Sequence, residues 1–289
     1  MQLLLKEHNI DSAWTPDEDS EFLRNFVEEL SFLRHIRLNP EGCARAAEIT
    51  FNRLKEHCDF CFYDGDYRNV VAGWGSPEID GRHVIGGHYD GPPYSLGADD
   101  NASAIAVLSL LAKKLAKREP QNVLLVGFNG EEEGLLGSTE FVERMNPASG
   151  VILEMVGYFV KEPNTQTMPA GLPQFNVGDF LGVVGNRYSE GMGAKLVKLA
   201  SKINLDLPLK SLQIPLGLED MLEGLSHTKR SDHYPFWAKK RPAVMLTDTS
   251  EFRNSNYHKM SDTPDTLNYP AMAQVVRLLE AYVVSLESS

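Results

Sequence analysis

Apolar side chains near the start of the chain recur at spacings of three and four residues. The pattern comprises Phe22, Leu23, Phe26, Val27, Leu30 and Leu33, and it resumes from Ala44 to Leu54. It predicts helical structure over residues 21–56, interrupted by Pro40-Glu41-Gly42, because this periodicity places one apolar stripe on a helix. We interpret residues 1–60 as an N-terminal helical cap.

From Val70 onwards, short apolar runs alternate with helical patterns. The predicted strands are 70–74, 83–87, 123–129, 151–158, 180–184 and 243–247, and the predicted helices are 101–117, 138–145, 190–203, 232–239 and 271–286. This alternation is typical of an α/β fold with a mostly parallel, mixed β-sheet sandwiched between helices. No repeat or long linker divides the chain, so we predict a single domain over residues 1–289 with its α/β core at 70–286. The long segments 162–178 and 206–230 are expected to border a site.

The composition is that of an ordinary folded protein. Hydrophobic residues make up 42% and charged residues 24% of the 289 positions. A chain of this length can bury about 75% of its extended surface without disulfide staples. The 28 Lys and Arg against 40 Asp and Glu give a net charge of −12, which repels phosphate backbones and anionic lipids. We therefore expect neither nucleic acid nor a membrane surface as a partner.

No apolar stretch predicts a membrane span or a signal peptide. The best candidate, residues 102–112, is interrupted by two serines and falls short of the roughly 18 residues required. Leu3-Leu4-Leu5 ends at a lysine and is shorter than the apolar region of about 7 to 15 residues in signal peptides. We expect a cytoplasmic protein, or an exported one whose signal peptide is missing from this sequence.

The three cysteines, Cys43, Cys58 and Cys61, are an odd number, which mildly favours a reducing compartment. Cys58 and Cys61 have CxxC spacing, but no second CxxC and no His pair follows to complete a four-ligand zinc site. We interpret them as structural thiols.

Polar residues follow most of the predicted strands. In chain order these are His88, Asp90, Asp100, Glu131, Glu132, Glu133, Glu154 and His258. In open α/β sheets ligands bind beyond the carboxyl ends of the strands, and imidazole with carboxylate suits zinc and related divalent ions. Each residue alone has an ordinary structural explanation, such as a helix N-cap for Asp100. Only the ordered set favours a metal site.

Six motifs carry a resemblance to a known family: GGHYD (86–90), GADDNAS (97–103), NGEEEGLLGS (129–138), LEMVGY (153–158), SDHYPFW (231–237) and YHKMSDT (257–263). In this order they resemble the clan MH zinc aminopeptidases of metallopeptidase family 28, whose members use two co-catalytic zinc ions. The resemblance spans about residues 70–286 and implies the zinc-exopeptidase, phosphorylase/hydrolase-like fold.

The resemblance also implies a ligand set. His88 and Glu154 would hold one zinc ion, Glu132 and His258 the other, and Asp100 would bridge both. Asp90 would orient His88 from behind. Glu154 departs from many family members, which have Asp at this position, and its side chain is one methylene longer.

Further roles are implied for the neighbouring residues. Aligning the acidic triplet on Gly134-Leu135-Leu136-Gly137-Ser138 makes Glu131 the general base, Glu132 the ligand and Glu133 a residue outside the site. Asp100, Glu132 and Glu154 offset three of four zinc charges, so a bridging hydroxide balances the count and serves as nucleophile. Tyr257 is a candidate oxyanion donor.

Three supporting assignments complete this interpretation. Asp232 and His233 would support the site through hydrogen bonds without binding metal. Met155 and Phe252 are candidates for the lining of the first substrate pocket, although core packing explains each equally well.

The expected activity is removal of N-terminal residues from peptides with a free amine, which Glu131 and Glu154 would hold. The alternative within the same clan is a glutaminyl cyclase with one zinc ion; the absence of an insertion after Glu132, and Tyr257 where we expect Trp, count against it. Family carboxypeptidases carry lid and dimerisation domains for which this chain has no room. A metal-free binding protein on the same scaffold is the remaining alternative, and the complete ligand set counts against it.

Overall fold

The computed structural model describes residues 17–78, 80–169, 172–217 and 223–287. The first sixteen residues of the predicted cap, including Leu3-Leu4-Leu5, lie outside the described residues, as do parts of the two predicted loops (170–171 and 218–222). Among the described helices, none is long and apolar enough to cross a membrane.

The N-terminal segment forms two helices, α1 (Glu18–Leu30) and α2 (Pro40–Lys55). Asp17 caps α1 by accepting a hydrogen bond from the Ser20 amide at 2.9 Å. Pro40 lies in the first turn of α2, where its missing N–H costs no hydrogen bond. The predicted interruption at residues 40–42 is therefore wrong in position: the chain leaves the helix after Leu30, and Pro40 begins the next one.

The remaining elements follow the predicted alternation. The strands are β1 (Phe60–Asp64), β2 (Asn69–Gly73), β3 (His83–His88), β4 (Val123–Phe128), β5 (Ser149–Glu154), β6 (Leu181–Asn186), β7 (Leu209–Ile214) and β8 (Ala243–Thr247). The further helices are α3 (Ser103–Leu115), α4 (Leu136–Arg144), α5 (Met192–Lys202), α6 (Tyr234–Ala238) and α7 (Tyr269–Glu287).

The strands form one sheet in the order β1-β2-β4-β3-β5-β8-β6-β7. The four central strands β4, β3, β5 and β8 run parallel, while β2 pairs antiparallel with β4 and β6 pairs antiparallel with β8. The predicted α/β fold with a mixed sheet is confirmed. Because β4 and β5 lie on opposite sides of β3, the chain reverses direction across the sheet at β3. The carboxyl ends of the central strands open a crevice there.

Helices cover both faces of the sheet. Alternate strand residues belong to two separate cores, with Ile85 packed on the side of α1, α2, α3, α5 and α7 and Val84 on the side of α4 and α6. Every residue of β4 and β5 is buried. This explains the continuous apolar sequence of β4 and the apolar centre of β5, Val151-Ile152-Leu153, which are typical of a parallel sheet covered on both faces.

Two strands were missed and one was predicted too long. β1 and β7 are the edge strands of the sheet, and their mixed exposure leaves only a weak apolar signal. β5 ends at Glu154 instead of residue 158, because Met155 turns the chain with φ = 49°. The Asn101 side chain fixes this turn by donating to the Leu153 carbonyl and accepting from the Met155 amide, both at 3.0 Å.

Arg34 joins the N-terminal segment to the loop that precedes α3. Its side chain is completely buried, and its guanidinium donates to five backbone carbonyls at 2.6–3.3 Å: those of Leu30, Phe32, Tyr89, Leu96 and Gly97. Gly97 has φ = 63°, and a Cβ atom there would lie 2.8 Å from the Arg34 guanidinium. Glycine at position 97 therefore permits both the turn and the close approach of Arg34.

Replacing Arg34 with Met is expected to lower the free energy of unfolding by about 3–5 kcal/mol. The change removes a buried cation and leaves several carbonyl acceptors without donors. Urea denaturation followed by circular dichroism measures the change. Arg277→Met is the control, because Arg277 is exposed and donates to Gln274 at 2.8 Å. Equal stability of the two variants would contradict the structural role assigned to Arg34.

Candidate metal centre

The crevice at the carboxyl ends of β3, β4 and β5 collects the predicted site residues. His88 is the last residue of β3 and Glu154 the last residue of β5. Glu131 and Glu132 follow β4 in the turn that precedes α4. Asp100 lies in the irregular turn Ala98–Ala102 before α3, and His258 lies in the loop between β8 and α7.

His88 faces three carboxylates. Its Nε2 atom lies 3.4 Å from Glu154 Oε2, 3.5 Å from Asp100 Oδ1 and 4.0 Å from Glu131 Oε2. The side chain of His88 is completely buried. The structure thus brings together His88, Asp100 and Glu154, as the resemblance implies for one ion, and places Glu131 beside them.

Asp100 also contacts the second histidine. His258 Nε2 lies 3.2 Å from Asp100 Oδ2 and 3.6 Å from Glu132 Oε2. One oxygen of Asp100 therefore faces His88 and the other faces His258. This is the arrangement that a carboxylate shared between two ligand groups requires.

Several atoms at this position are suited to a cation. His88 Nε2, Asp100 Oδ1 and Glu132 Oε1 are buried and have no hydrogen-bond partner in the described parts of the chain. One ligand atom each from His88, Asp100 and Glu132 lies within 4.8 Å of the others, and the same holds for His88, Glu131 and Glu154. Imidazole nitrogens with carboxylate oxygens are ordinary zinc ligands. The residues present therefore fit a zinc ion.

The charges of the site lead to the same conclusion. Burial raises the pKa of Glu131 and Glu132 well above the usual range, and the neighbouring Asp100 raises that of Glu132 further. Burial opposes the charged form of His88, but Glu154 and Glu131 raise the pKa of His88 well above its usual value. The site is thus an excess of acidic groups in a desolvated pocket, and such groups stay ionised only beside added positive charge.

Asp90 lies behind His88 and the acidic turn. His88 Nδ1 is 3.2 Å from the Asp90 carbonyl and 3.5 Å from the Asp90 carboxylate. The same carboxylate accepts the backbone amides of Glu131 and Glu132 at 3.2 and 3.3 Å. Asp90 therefore orients one histidine and the turn with two glutamates, a wider role than the sequence predicts.

Two aspartates that our sequence interpretation missed hold Asp100 in place. Asp262 accepts the backbone amides of Asp99 at 2.9 Å and of Asp100 at 3.1 Å. Asp99 in turn accepts the Gly157 amide at 2.9 Å and the Asn254 side-chain amide at 2.7 Å. Asp99 lies in the motif GADDNAS and Asp262 in YHKMSDT. Their place in these motifs was the one sequence feature that could have indicated a supporting role.

The SDH segment supports the site through its first residue. Ser231 Oγ donates to Glu154 Oε2 at 2.7 Å, a contact that we did not predict. His233 Nε2 donates to the Thr228 carbonyl at 2.7 Å. Asp232 is completely buried, and burial raises its pKa to about 7. Asp232 lies near enough to His88 and Glu154 to interact with their charges, but neither of its oxygens has a hydrogen-bond partner among the described residues. His233 contacts Thr228 and the Trp237 ring instead of a candidate ligand.

Tyr257 adjoins the second histidine. Its ring stacks on that of His258 with centroids 3.8 Å apart, and its hydroxyl accepts a hydrogen bond from Arg230 at 3.0 Å. Arg230 is also paired with Glu251 at 2.6 Å. Burial and the nearby Asp100 raise the pKa of Tyr257, so the phenol keeps its proton and can donate it.

A largely apolar pocket adjoins the metal centre, and Glu154 and Tyr257 are part of its lining. Its apolar lining consists of Met168, Pro169, Leu172, Val184, Leu212, Met245 and Phe252, and the polar lining includes Arg230 and Glu251. The structure brings Phe252 to this pocket but not Met155, whose side chain is completely buried and does not belong to the lining. For Met155 the alternative of core packing is the one that the structure supports, because Met155 has a positive φ and its side chain lies in the interior.

Sequence comparison identifies relatives for most of the core. A model of peptidase family M28 matches residues 69–283. The uncharacterized Escherichia coli (strain K12) protein YfbL is 36% identical over 231 residues, which cover 73% of this chain and 69% of YfbL. A probable zinc metalloprotease of Pyrenophora tritici-repentis is 35% identical over 91 residues, 28% of this chain and 19% of that protein.

Two solved structures illustrate the likeness of fold. The Legionella pneumophila LapA aminopeptidase superimposes with a TM-score of 0.70 at 19% identity, over 93% of this chain and 72% of LapA. A Porphyromonas gingivalis glutaminyl cyclase superimposes with a TM-score of 0.68 at 15% identity, over 92% of this chain and 98% of the cyclase. Both enzymes share this architecture, so the fold alone does not separate their activities.

Adding zinc is expected to raise the melting temperature, and a chelator should reverse the increase. Zinc at about 100 times its dissociation constant adds about 2.7 kcal/mol when it binds only the folded state. His88→Ala should reduce this shift, because His88 is a ligand of one of the two ions that the resemblance implies and belongs to both groups whose ligand atoms lie close together. His57→Ala is the control, since His57 lies at the end of α2. Differential scanning calorimetry with and without zinc checks this, and an unchanged shift in His88→Ala would contradict the assignment.

Proposed function

Because the chain belongs to peptidase family M28, we propose that it is a zinc-dependent aminopeptidase that releases residues from the free N-terminus of peptides. The observation that carries the proposal is Asp100, whose two carboxylate oxygens face His88 and His258 separately. This arrangement supports two zinc ions, one held by His88 and Glu154 and the other by Glu132 and His258, with Asp100 shared.

Glu131 is the proposed general base. Zinc, when bound, lowers the pKa of a coordinated water to about 7 and polarises the substrate carbonyl. Glu131 Oε2 lies on the His88 side of the site, and burial favours its protonated form. A carboxylate in such surroundings accepts a proton from the attacking water and returns it to the departing amine.

Tyr257 is the proposed oxyanion donor. Its hydroxyl is held by Arg230, and its ring is fixed against His258. A protonated phenol at the rim of the metal centre stabilises the negative charge that develops on the carbonyl oxygen during attack.

Selection of N-terminal residues rests on two neighbouring features. Glu154 belongs both to the metal centre and to the lining of the apolar pocket. An N-terminal ammonium held by the carboxylates of Glu154 and Glu131 places the first side chain in that pocket. We therefore propose peptides with a large apolar first residue as preferred substrates.

The glutaminyl cyclase alternative has the same fold in its favour. The presence of two ligand groups counts against it, because a one-zinc enzyme needs only one of the sets on the two sides of Asp100, His88 with Glu154 or His258 with Glu132. The apolar pocket beside Glu154 also fits a large hydrocarbon side chain better than the amide of glutamine.

Two single variants test the assignment within the acidic triplet. Glu131→Ala is expected to keep its zinc and to lose about 10²–10⁴-fold in kcat, because the general base is removed. Glu132→Ala should lose zinc, since a ligand is removed. Zinc content by mass spectrometry and release of N-terminal residues from a peptide pool give both answers. Zinc loss in Glu131→Ala together with retention in Glu132→Ala would mean that the two roles are reversed.

The substrate panel tests the pocket. Aminoacyl p-nitroanilides of Leu, Met and Phe are expected to have kcat/KM values at least about tenfold above those of Gly and Asp. Val184→Phe should reduce cleavage of the Phe substrate more than that of the Ala substrate, because it fills the pocket. Val197→Phe on the outer surface of α5 is the matched control. Equal reduction for both substrates would contradict the proposed location of the first side chain.

A further inference from the structure

The third glutamate of the acidic triplet faces away from the metal centre. Glu133 Oε1 lies 3.2 Å from His35 Nε2, and Glu133 Oε2 lies 3.1 Å from Arg37 Nε. Glu131 and Glu132, two positions and one position earlier, face the two histidines of the site. One short turn therefore contributes two carboxylates to the metal centre and a third to the segment between α1 and α2.

His35 is a fixed partner in this contact. Its side chain is 3% exposed, and its Nδ1 accepts the backbone amides of Arg37 at 3.3 Å and Leu38 at 3.2 Å. Because Nδ1 is an acceptor, the ring proton of the neutral imidazole is on Nε2, the atom that faces Glu133 Oε1. The His35 carbonyl also accepts the Asn39 amide at 2.9 Å. The donor presented to Glu133 is thus held by the backbone around it.

The contact of Glu133 with His35 and Arg37 holds the turn that carries Glu131 and Glu132 on the side opposite Asp90. Asp90 holds the amides of Glu131 and Glu132 from inside the site. The amides of Gly134 and Leu135 close the turn on the Glu131 carbonyl, both at 2.9 Å. Glu133 is the residue between these two sets of bonds, and its side chain fixes the turn from outside.

This contact differs from an ordinary surface ion pair. Glu143 and Lys239 are 3.2 Å apart, but their side chains are 55% and 48% exposed, and pairs of this kind contribute little. Glu133 is 20% exposed and its partner His35 is nearly buried. Glu143 lies in the helix that follows the same turn and does not contact the site, so it provides a matched control.

We propose that Glu133, held by His35 and Arg37, is a positioning residue that aligns Glu131 and Glu132 for catalysis. The inference rests on the proposed function of the same site. It makes the segment between α1 and α2 part of the catalytic apparatus, although this segment supplies no ligand.

The experiment compares five forms of the zinc-loaded, full-length protein: wild type, Glu133→Ala, Glu133→Gln, His35→Ala and the control Glu143→Ala. Steady-state kcat and KM for a leucyl peptide are measured with zinc content and melting temperature. Misplacement of a catalytic group by about 1 Å costs on the order of 10²-fold in rate. We expect Glu133→Ala and His35→Ala to lose at least about tenfold in kcat, with KM and zinc content unchanged.

Glu133→Gln separates positioning from charge. Glutamine lacks the charge, but its side-chain oxygen can take the same place beside the N–H of His35 Nε2, so positioning predicts a kcat within about threefold of wild type. If Glu133→Gln falls as far as Glu133→Ala, the effect is one of charge and the inference is overturned. It is also overturned if Glu133→Ala matches Glu143→Ala.

If Glu133→Ala and His35→Ala do not fold, Arg37→Ala tests the same inference. Arg37 is 68% exposed, so its removal leaves the core intact and weakens one half of the contact. A several-fold fall in kcat supports the inference, and an unchanged kcat overturns it. An inactive wild-type protein would overturn the proposed function and this inference together, whereas an active wild type with an unaffected Glu133→Ala overturns the inference alone.

Discussion

The burial of many carboxylates at one edge of the sheet is the constraint on which the rest of the structure depends. Six aspartates in this crevice and its supports are completely or almost completely buried: Asp90, Asp99, Asp100, Asp232, Asp248 and Asp262. The glutamates Glu131, Glu132 and Glu154 adjoin them. Burying an unpaired charge costs several kcal/mol, so each of these groups needs a donor, a proton or a cation. Some of these carboxyl groups have hydrogen-bond donors or can hold a proton within the fold. The others need a cation.

The hydrogen-bond partners separate supporting carboxylates from ligands. Asp90, Asp99, Asp248 and Asp262 accept backbone amides, and these bonds hold the loops that follow the strands. Asp100 and Glu132 instead each keep a buried oxygen that no described residue satisfies. Both oxygens of the buried Asp232 also lack a partner among the described residues, but burial raises the pKa of Asp232 to about 7, so a proton can neutralise this carboxyl. A cation held by the group of His88, Asp100 and Glu132 would satisfy the unpaired oxygens of the last two.

The sequence indicated the candidate residues of the metal centre more readily than the residues that support them. His88, Glu131, Glu132 and Glu154 follow strands, and strand ends are visible as breaks in apolar periodicity. Contacts such as Asp262 with the Asp99 amide join residues 163 positions apart, and no local pattern encodes them. The prediction that Met155 lines the pocket failed for a similar reason. The positive φ of Met155 depends on the side chain of Asn101, 54 residues earlier. The edge strands β1 and β7 were missed because many of their residues are partly or fully exposed, which weakens their apolar pattern.

Two consecutive residues explain why the N-terminal segment and the metal centre form one unit. Arg34 donates to carbonyls of the loop that carries Asp90 and leads to Asp100, while His35 contacts the turn that carries Glu131 and Glu132. The candidate ligands come from five separate segments of the chain, so their mutual distances depend on contacts outside the sheet. Metal binding to such a site stabilises every contact that holds those segments together, because an ion that binds only the assembled ligands adds its binding free energy to the folded state. The N-terminal segment therefore shares in the stability that zinc provides, even though it donates no ligand.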